Sequence, residues 1–189
     1  MTTAKLFMIL YWTWIGTEIL LQLVTPTLRG KGQLRDRGSL IVLLAVIFSS
    51  VWAALDYGNT HPHNLFAGAH WLRPAAVALL AFGLVVRWTA VLTLGAAFST
   101  NVAIHANHSL RTTGLYRWVR HPSYLGMLII FTAVGLYERN WISLAILLVF
   151  PTAALLYRIH VEEKALNEAF GPQYADYSRV TRRLIPGIY

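Results

Sequence analysis

The sequence predicts an all-α integral membrane protein of five transmembrane helices, of which the last two form a helical hairpin and a cytoplasmic cap follows. Apolar residues make up 56% of the 189 positions and charged residues only 13%, about half the charged share of soluble domains. The mean hydropathy is +0.51. Such a chain has too few charges to cover a soluble domain and is too apolar to be disordered. An integral membrane protein is the class that remains.

Five apolar runs match the length needed to cross a hydrocarbon core of ~30 Å, or approach it. They are residues 5–24, 39–55, 74–97, 122–137 and 141–157. The first run is too long for a signal peptide, and no small-residue cleavage site follows it. The turn at 138–140 is so short that the last two runs must pair as an antiparallel hairpin. A polar, amphipathic helix then follows from residue 162 and ends at Gly171-Pro172, a typical helix stop.

The charge distribution predicts the orientation in the membrane. With five spans, 12 of the 16 Lys and Arg residues fall on one side, in residues 25–38, 98–121 and 158–189. Lys and Arg are enriched in cytoplasmic loops, so the C-terminus is expected inside and the N-terminus outside. The net charge of +8 then reflects membrane topology, and no nucleic-acid partner is expected. We divide the chain into three N-terminal spans (1–97) and a region of loop, hairpin and cap (98–189).

Polar and aromatic side chains concentrate where the fourth run begins, in the stretch RTTGLYRWVRHPSYLG at residues 111–126. Pro122 suits the first position of a helix because its missing N–H costs nothing there. His121 is then the N-cap, and the free backbone N–H groups of Ser123 and Tyr124 are expected to attract an anion such as a carboxylate or phosphate. A belt of residues that contacts lipid headgroups accounts for the same composition.

A second cluster lies at the end of the fifth run. Arg158 and Glu162 are four residues apart and therefore share one face of a helix. One interpretation is a surface ion pair worth ~0.3–0.5 kcal/mol, with Arg158 extended to the membrane interface. The other is a site that orients a small anionic group.

Other ionisable residues allow two interpretations as well. Glu18 and Arg87 lie inside predicted spans, where charged residues are functional candidates by default, although an ion pair between the two spans accounts for them equally. His61, His63 and His70 share one external loop, but the only nearby carboxylate is Asp56. No metal site is expected there.

The two clusters together are distinctive. The stretch RHPSYLG at 120–126, the pair Glu162-Glu163 four residues after Arg158, and FGPQYADY at 170–177 resemble the isoprenylcysteine carboxyl methyltransferase family over roughly residues 95–189. The resemblance implies an integral membrane O-methyltransferase that uses S-adenosylmethionine and methylates the carboxylate of a lipophilic, isoprenylcysteine-type substrate. Phospholipid N-methyltransferases share the RHPxYxG motif. Methylation of a phospholipid amine, and a non-catalytic lipid- or protein-binding protein, therefore remain alternatives.

The resemblance also assigns roles by position. It implies a cofactor site formed by His108, Ser109, Leu110, Arg111, Tyr116, His121, Pro122, Ser123 and Tyr124. It places Arg158 and Glu162 at the substrate carboxylate as the catalytic and substrate-binding pair. Arg158 would bind the carboxylate with its two-pronged guanidinium, held in place by Glu162. The expected partners are a lipophilic small molecule or a prenylated substrate, together with membrane lipids.

Overall fold

A computed structural model describes residues 2–24, 33–34, 38–61, 69–95, 98, 103–104 and 110–189. Within these residues the chain forms six α-helices. They are α1 (Thr3–Val24), α2 (Ser39–Thr60), α3 (Leu72–Leu94), α4 (Pro122–Glu138), α5 (Trp141–Phe170) and α6 (Pro172–Val180). Helices α1, α2, α3 and α5 are long and apolar enough to cross a membrane, and α4 is a shorter apolar helix of 17 residues. The predicted all-α membrane fold is confirmed.

Helix α4 occupies the middle of the bundle, between α3 and α5, while α2 packs along α5 and α1 packs along α3. Its side chains Ile130, Phe131 and Val134 are completely buried. Helix α1 joins this core mainly through aromatic rings. Trp14 meets Phe131 edge-on, with ring centroids 5.8 Å apart, and such pairs add to the stability that burial alone provides. The most deeply buried helix is therefore the one whose first turn carries the predicted site.

Two glycines bring α3 and α4 unusually close together. A Cβ atom on Gly126 would lie 2.7 Å from the backbone nitrogen of Arg87, and one on Gly83 would lie 2.9 Å from Cγ1 of Ile130. Both distances are shorter than a carbon side chain tolerates. Because these positions have no side chain, the backbones touch. The contact places Arg87 beside the first turn of α4.

The predicted hairpin between α4 and α5 is confirmed, and its turn has a clear physical basis. Arg139 ends α4 in the left-handed conformation, with φ 56°. Asn140 then caps α5, since its side-chain oxygen accepts hydrogen bonds from the amides of Ile142 and Ser143 at 3.0 and 3.4 Å. Its amide group donates to the carbonyl of His61 at 3.1 Å, which ties the hairpin to the end of α2.

Helix α5 is longer than the sequence pattern suggests. The apolar run ends at residue 157, but the helix continues without a break to Phe170 and spans 30 residues. No proline or glycine lies between residues 157 and 171. Gly171 adopts φ 50° and ends the helix as expected. The change from apolar to polar residues after residue 157 therefore does not mark the end of the helix. Arg158 and Glu162 are consequently held on a rigid extension of a transmembrane helix.

The described parts of the three basic segments meet at one end of the bundle, as the charge distribution predicts. Strand β1 (Gln33–Leu34), from the first loop, pairs antiparallel with strand β2 (Ala103–Ile104), from the third loop. The C-terminal segment joins them, because Val119 and Arg182 form a parallel β-bridge. The side of the membrane on which this end lies stays a prediction.

We expect Asn140→Ala to lower the free energy of unfolding by about 1–2 kcal/mol, because it removes the N-cap of α5 and a buried hydrogen bond to α2. Asn140→Asp keeps the capping oxygen and should lose only part of this stability. Thermal unfolding of the purified protein in detergent micelles measures both. Equal stability of Asn140→Ala and the wild type would contradict the capping role.

Candidate active site

Arg158 is the most deeply buried charged side chain of the site, with 1% of its surface exposed. Its Nε donates to Oε1 of Glu162 at 3.1 Å, and its Nη1 donates to Oγ of Ser39, on the first turn of α2, at 2.5 Å. A buried guanidinium is stable only when it is paired and hydrogen-bonded. The interpretation as a solvent-exposed surface pair is therefore wrong.

Glu162 lies at the centre of a hydrogen-bonded group. Besides Arg158, it accepts a hydrogen bond from the Tyr124 hydroxyl on α4. Its Oε2 is 3.5 Å from Nδ1 of His121, whose ring is nearly parallel to that of Tyr124 at a centroid distance of 5.7 Å. One carboxylate thus joins α5 to both polar residues at the start of α4.

The start of α4 has the predicted order of residues, but one of the two amides expected to be free, that of Tyr124, is engaged. His121 is the N-cap and Pro122 the first helical residue, as expected. The amide of Tyr124 donates to the carbonyl of His121 at 3.1 Å, so the expectation that this N–H is free to bind an anion is wrong. The helix closes its first turn on its own N-cap carbonyl. The amide of His121 is also engaged, since it donates to the carbonyl of Arg183 at 3.0 Å.

His121 lies between two carboxylates. Nδ1 faces Glu162 and Nε2 faces Glu163, each at 3.5 Å, and the side chain is 6% exposed. Burial disfavours the charged imidazolium, but the two adjacent carboxylates outweigh burial and raise the pKa of His121. At 3.5 Å, Nε2 has no well-formed hydrogen bond among the residues that the structure describes.

Glu163 holds the C-terminal segment against the site. Oε1 accepts a hydrogen bond from Arg120 and Oε2 one from Arg183, both at 2.8 Å. Arg120 also donates to the backbone carbonyl of Thr181 at 2.6 Å. Adjacent helix residues diverge by about 100°, so Glu162 faces α4 while Glu163 faces the cap. The sequence pattern does not predict that Glu163 holds the C-terminal segment, because its partners are distant in the chain.

The predicted cofactor residues that precede His121 in the chain are Tyr116 and residues 108–111. Tyr116 is buried and donates to the carbonyl of Ala90 on α3 at 3.3 Å. Its own carbonyl accepts from the hydroxyl of Tyr177 at 2.6 Å, and burial raises the pKa of Tyr177 to about 12, so that hydroxyl stays a donor. Leu110 is half-buried and Arg111 exposed. His108 and Ser109 lie outside the described residues, and all of these cofactor roles stay predictions.

Arg87 contributes a second buried guanidinium. It forms the predicted ion pair with Glu18, with two hydrogen bonds of 2.9 and 2.8 Å, and it also donates to Oγ of Ser123. A cavity of about 40 Å³ borders this pair, lined by Glu18, Gln22, Leu40, Leu43, Leu44, Ile47, Arg87, Phe98, Tyr124 and Met127. This volume admits water but no molecule of nucleotide size.

Comparison with known proteins shows which family the chain is similar to. The sequence profile of the isoprenylcysteine carboxyl methyltransferase family matches residues 76–168, which include most of α3 and all of α4. A solved eukaryotic intramembrane Ras methyltransferase of this name superimposes with a TM-score of 0.65 and 29% identity, covering 77% of this chain and 52% of that one. This chain is similar to the isoprenylcysteine carboxyl methyltransferase family over residues 76–168. The match begins earlier than the resemblance at 95–189 and includes Arg87.

Curated proteins named protein-S-isoprenylcysteine O-methyltransferase are similar to about three fifths of this chain. The protein-S-isoprenylcysteine O-methyltransferase of Tribolium castaneum is 33% identical over 121 residues, which cover 63% of this chain and 43% of the relative. Protein-S-isoprenylcysteine O-methyltransferase A of Arabidopsis thaliana is 31% identical, covering 61% of this chain and 60% of the relative. The chain thus spans about half the length of these relatives. The similarity to methyltransferases implies a methyl donor.

The raised pKa of His121 predicts a pH-dependent stability. Because the imidazolium is favoured in the folded state, its stabilising effect is complete below the unfolded pKa of about 6.5 and is lost as pH rises through the higher folded pKa. The difference in melting temperature between wild type and His121→Gln should therefore shrink between pH 6 and 9. Unfolding in detergent micelles measures it, with the exposed His160→Gln as control. A difference that is constant with pH would contradict the assigned charge.

Proposed function

We propose that this protein transfers the methyl group of S-adenosylmethionine to the carboxylate of a lipophilic, isoprenylcysteine-type substrate. The observation that carries the proposal is the buried Arg158–Glu162 pair beside Tyr124, inside the region that matches the family. A guanidinium in this setting recognises a carboxylate by shape as well as by charge.

The donor set at the start of α4 fits S-adenosylmethionine. This molecule combines a cationic sulfonium, an ammonium, a carboxylate and an adenine ring, so a site for it needs acidic, basic and aromatic groups. Glu162 supplies the carboxylate, Tyr124 a ring, and His121 a buried ring nitrogen that lacks a well-formed hydrogen bond within the described part of the chain. We assign Ser123, Pro122, Tyr116 and residues 108–111 to the same site. When bound, S-adenosylmethionine supplies an already activated methyl group.

The residues of the chain then have a limited task. Arg158 attracts and orients the acceptor carboxylate, and Glu162 and Ser39 hold its guanidinium in place. A carboxylate attacks an activated methyl group without losing a proton, so no general base is needed. Alignment and exclusion of water provide the rate enhancement.

The placement of the site in the membrane is part of the proposal. Residues 98–189 would form the catalytic region and residues 1–97 three supporting spans, with the N-terminus external and the site cytoplasmic. The meeting of all three basic segments at one end of the bundle supports this orientation. Membrane lipids would surround the apolar faces, and the acceptor would be a prenylated or other lipophilic molecule.

Methylation of a phospholipid amine is less well supported by the contacts. An amine must lose a proton, so Glu162 or Glu163 would have to act as base. Both already pair with arginines, Glu162 with Arg158 and Glu163 with Arg120 and Arg183. Methyl transfer from radiolabelled S-adenosylmethionine to a farnesylated cysteine analogue and to phosphatidylethanolamine, measured side by side, tests the choice. Transfer to the amine alone contradicts the carboxylate proposal, and a failure to bind S-adenosylmethionine contradicts catalysis.

Arg158→Ala should lower kcat/KM for the farnesylated cysteine analogue by roughly a hundredfold or more, because truncating one member of a buried charge pair costs about 2–5 kcal/mol. The affinity for S-adenosylmethionine should change little. Arg158→Lys should restore little activity, since an ammonium lacks the two-pronged geometry, and Glu162→Gln should cause a partial loss. Arg179→Ala is the control, because Arg179 pairs with Asp176 in full exposure. Near-normal transfer by Arg158→Ala would exclude the carboxylate-binding role.

A further inference from the structure

Glu18 forms an unusual contact for a residue on the outermost helix of the bundle. It lies on α1, outside residues 76–168 that match the family. Its two carboxylate oxygens accept hydrogen bonds from Nε and Nη2 of Arg87 at 2.9 and 2.8 Å. The side chain of Arg87 is 6% exposed and that of Glu18 23%. The pair is therefore largely removed from both water and lipid.

The third donor of this guanidinium reaches the candidate site. Nη1 of Arg87 donates to Oγ of Ser123, on the first turn of α4. The backbone contact between Gly126 and Arg87 fixes the distance between the two helices. Because Glu18 binds the opposite edge of the guanidinium in a two-pronged manner, it sets the plane in which Nη1 meets Ser123.

The arrangement matches the one around Arg158. There a carboxylate, Glu162, binds a buried guanidinium beside Tyr124. Here Glu18 binds a buried guanidinium beside Ser123, the preceding residue. Glu18, Arg87 and Tyr124 also line one cavity, so Glu18 borders the candidate site.

Fold stability alone is a weak reason for such a pair. Replacing a buried ion pair by apolar residues of similar volume is often neutral or stabilising, because removing two charges from water is costly. Between two transmembrane helices an apolar contact would pack as well. The Glu18–Arg87 pair and its contact with Ser123 have a clear reason if the site requires one orientation of Arg87.

We propose that Glu18 is a positioning residue of the methyl-transfer site, which acts by holding Arg87 against Ser123 at the first turn of α4. The inference rests on the proposed function, because Ser123 is assigned there to the S-adenosylmethionine site. It extends that site to a helix outside residues 76–168, which match the family profile.

The test compares Glu18→Gln, Glu18→Asp and the neighbouring control Thr17→Val, whose native hydroxyl donates to the carbonyl of Trp14 on its own helix. The full chain is purified in detergent, and the dissociation constant for S-adenosylmethionine and both KM values are measured. Glu18→Gln should weaken S-adenosylmethionine binding roughly tenfold or more, as expected for loss of hydrogen bonds to a charged group. The KM for the farnesylated cysteine analogue should change less. Glu18→Asp should recover part of the affinity, and Thr17→Val should behave as the wild type.

A double-mutant cycle with Ser123→Ala distinguishes positioning from simple support of the fold. If Glu18 acts through Ser123, the loss in the double variant should be close to that of the larger single variant, because coupled residues are not additive. Fully additive losses overturn the proposal. So does a Glu18→Gln variant with a lower melting temperature but normal affinity in its folded fraction.

The outcome for the wild type separates this inference from the proposed function. Binding of S-adenosylmethionine without transfer to the farnesylated cysteine analogue overturns the acceptor assignment, while the affinities still decide the role of Glu18. A wild type that does not bind S-adenosylmethionine overturns both.

Discussion

The burial of two guanidinium groups beside one helix turn is the constraint on which the rest of the structure depends. Arg87 and Arg158 lose most of their contact with water, and each must recover hydrogen bonds and charge from the protein. Their carboxylate partners come from α1 and α5, and Ser39 adds a contact from α2. All of these contacts require the helices to converge on the start of α4. The same requirement that determines where the helices meet therefore assembles the candidate site.

The neighbouring carboxylates Glu162 and Glu163 bind different parts of the protein. They project in different directions from one helix, so Glu162 binds the groups on α4 while Glu163 binds Arg120 and Arg183. The segment around Arg183 is thereby attached directly to the turn that carries His121. The packing of the C-terminal segment and the geometry of the site therefore depend on two adjacent residues, Glu162 and Glu163.

Local patterns predict much of this protein from its sequence. The spans, the hairpin, the N-cap at His121 and the Arg158–Glu162 pair each depend on residues close together in the chain, where spacing determines geometry. The contact between Ser39 and Arg158 joins positions 119 residues apart, and no local periodicity reports it. The prediction of a free amide at Tyr124 fails because the first turn of α4 is tighter than an ideal N-terminus. The sequence pattern predicts too short an α5 because the change from apolar to polar residues does not coincide with the end of the helix.

The continuity of α5 has a consequence for how an acceptor of the proposed type reaches the site. At 1.5 Å per residue, Arg158 lies about 26 Å along the helix from Trp141, close to the far edge of a hydrocarbon core of ~30 Å. A lipid chain can therefore remain dissolved in the bilayer while its polar end meets the guanidinium. Extracting such a chain into water would cost about 0.8 kcal/mol per methylene group. A site at this depth would avoid that free-energy cost, because the lipid chain of the proposed acceptor would stay in the bilayer.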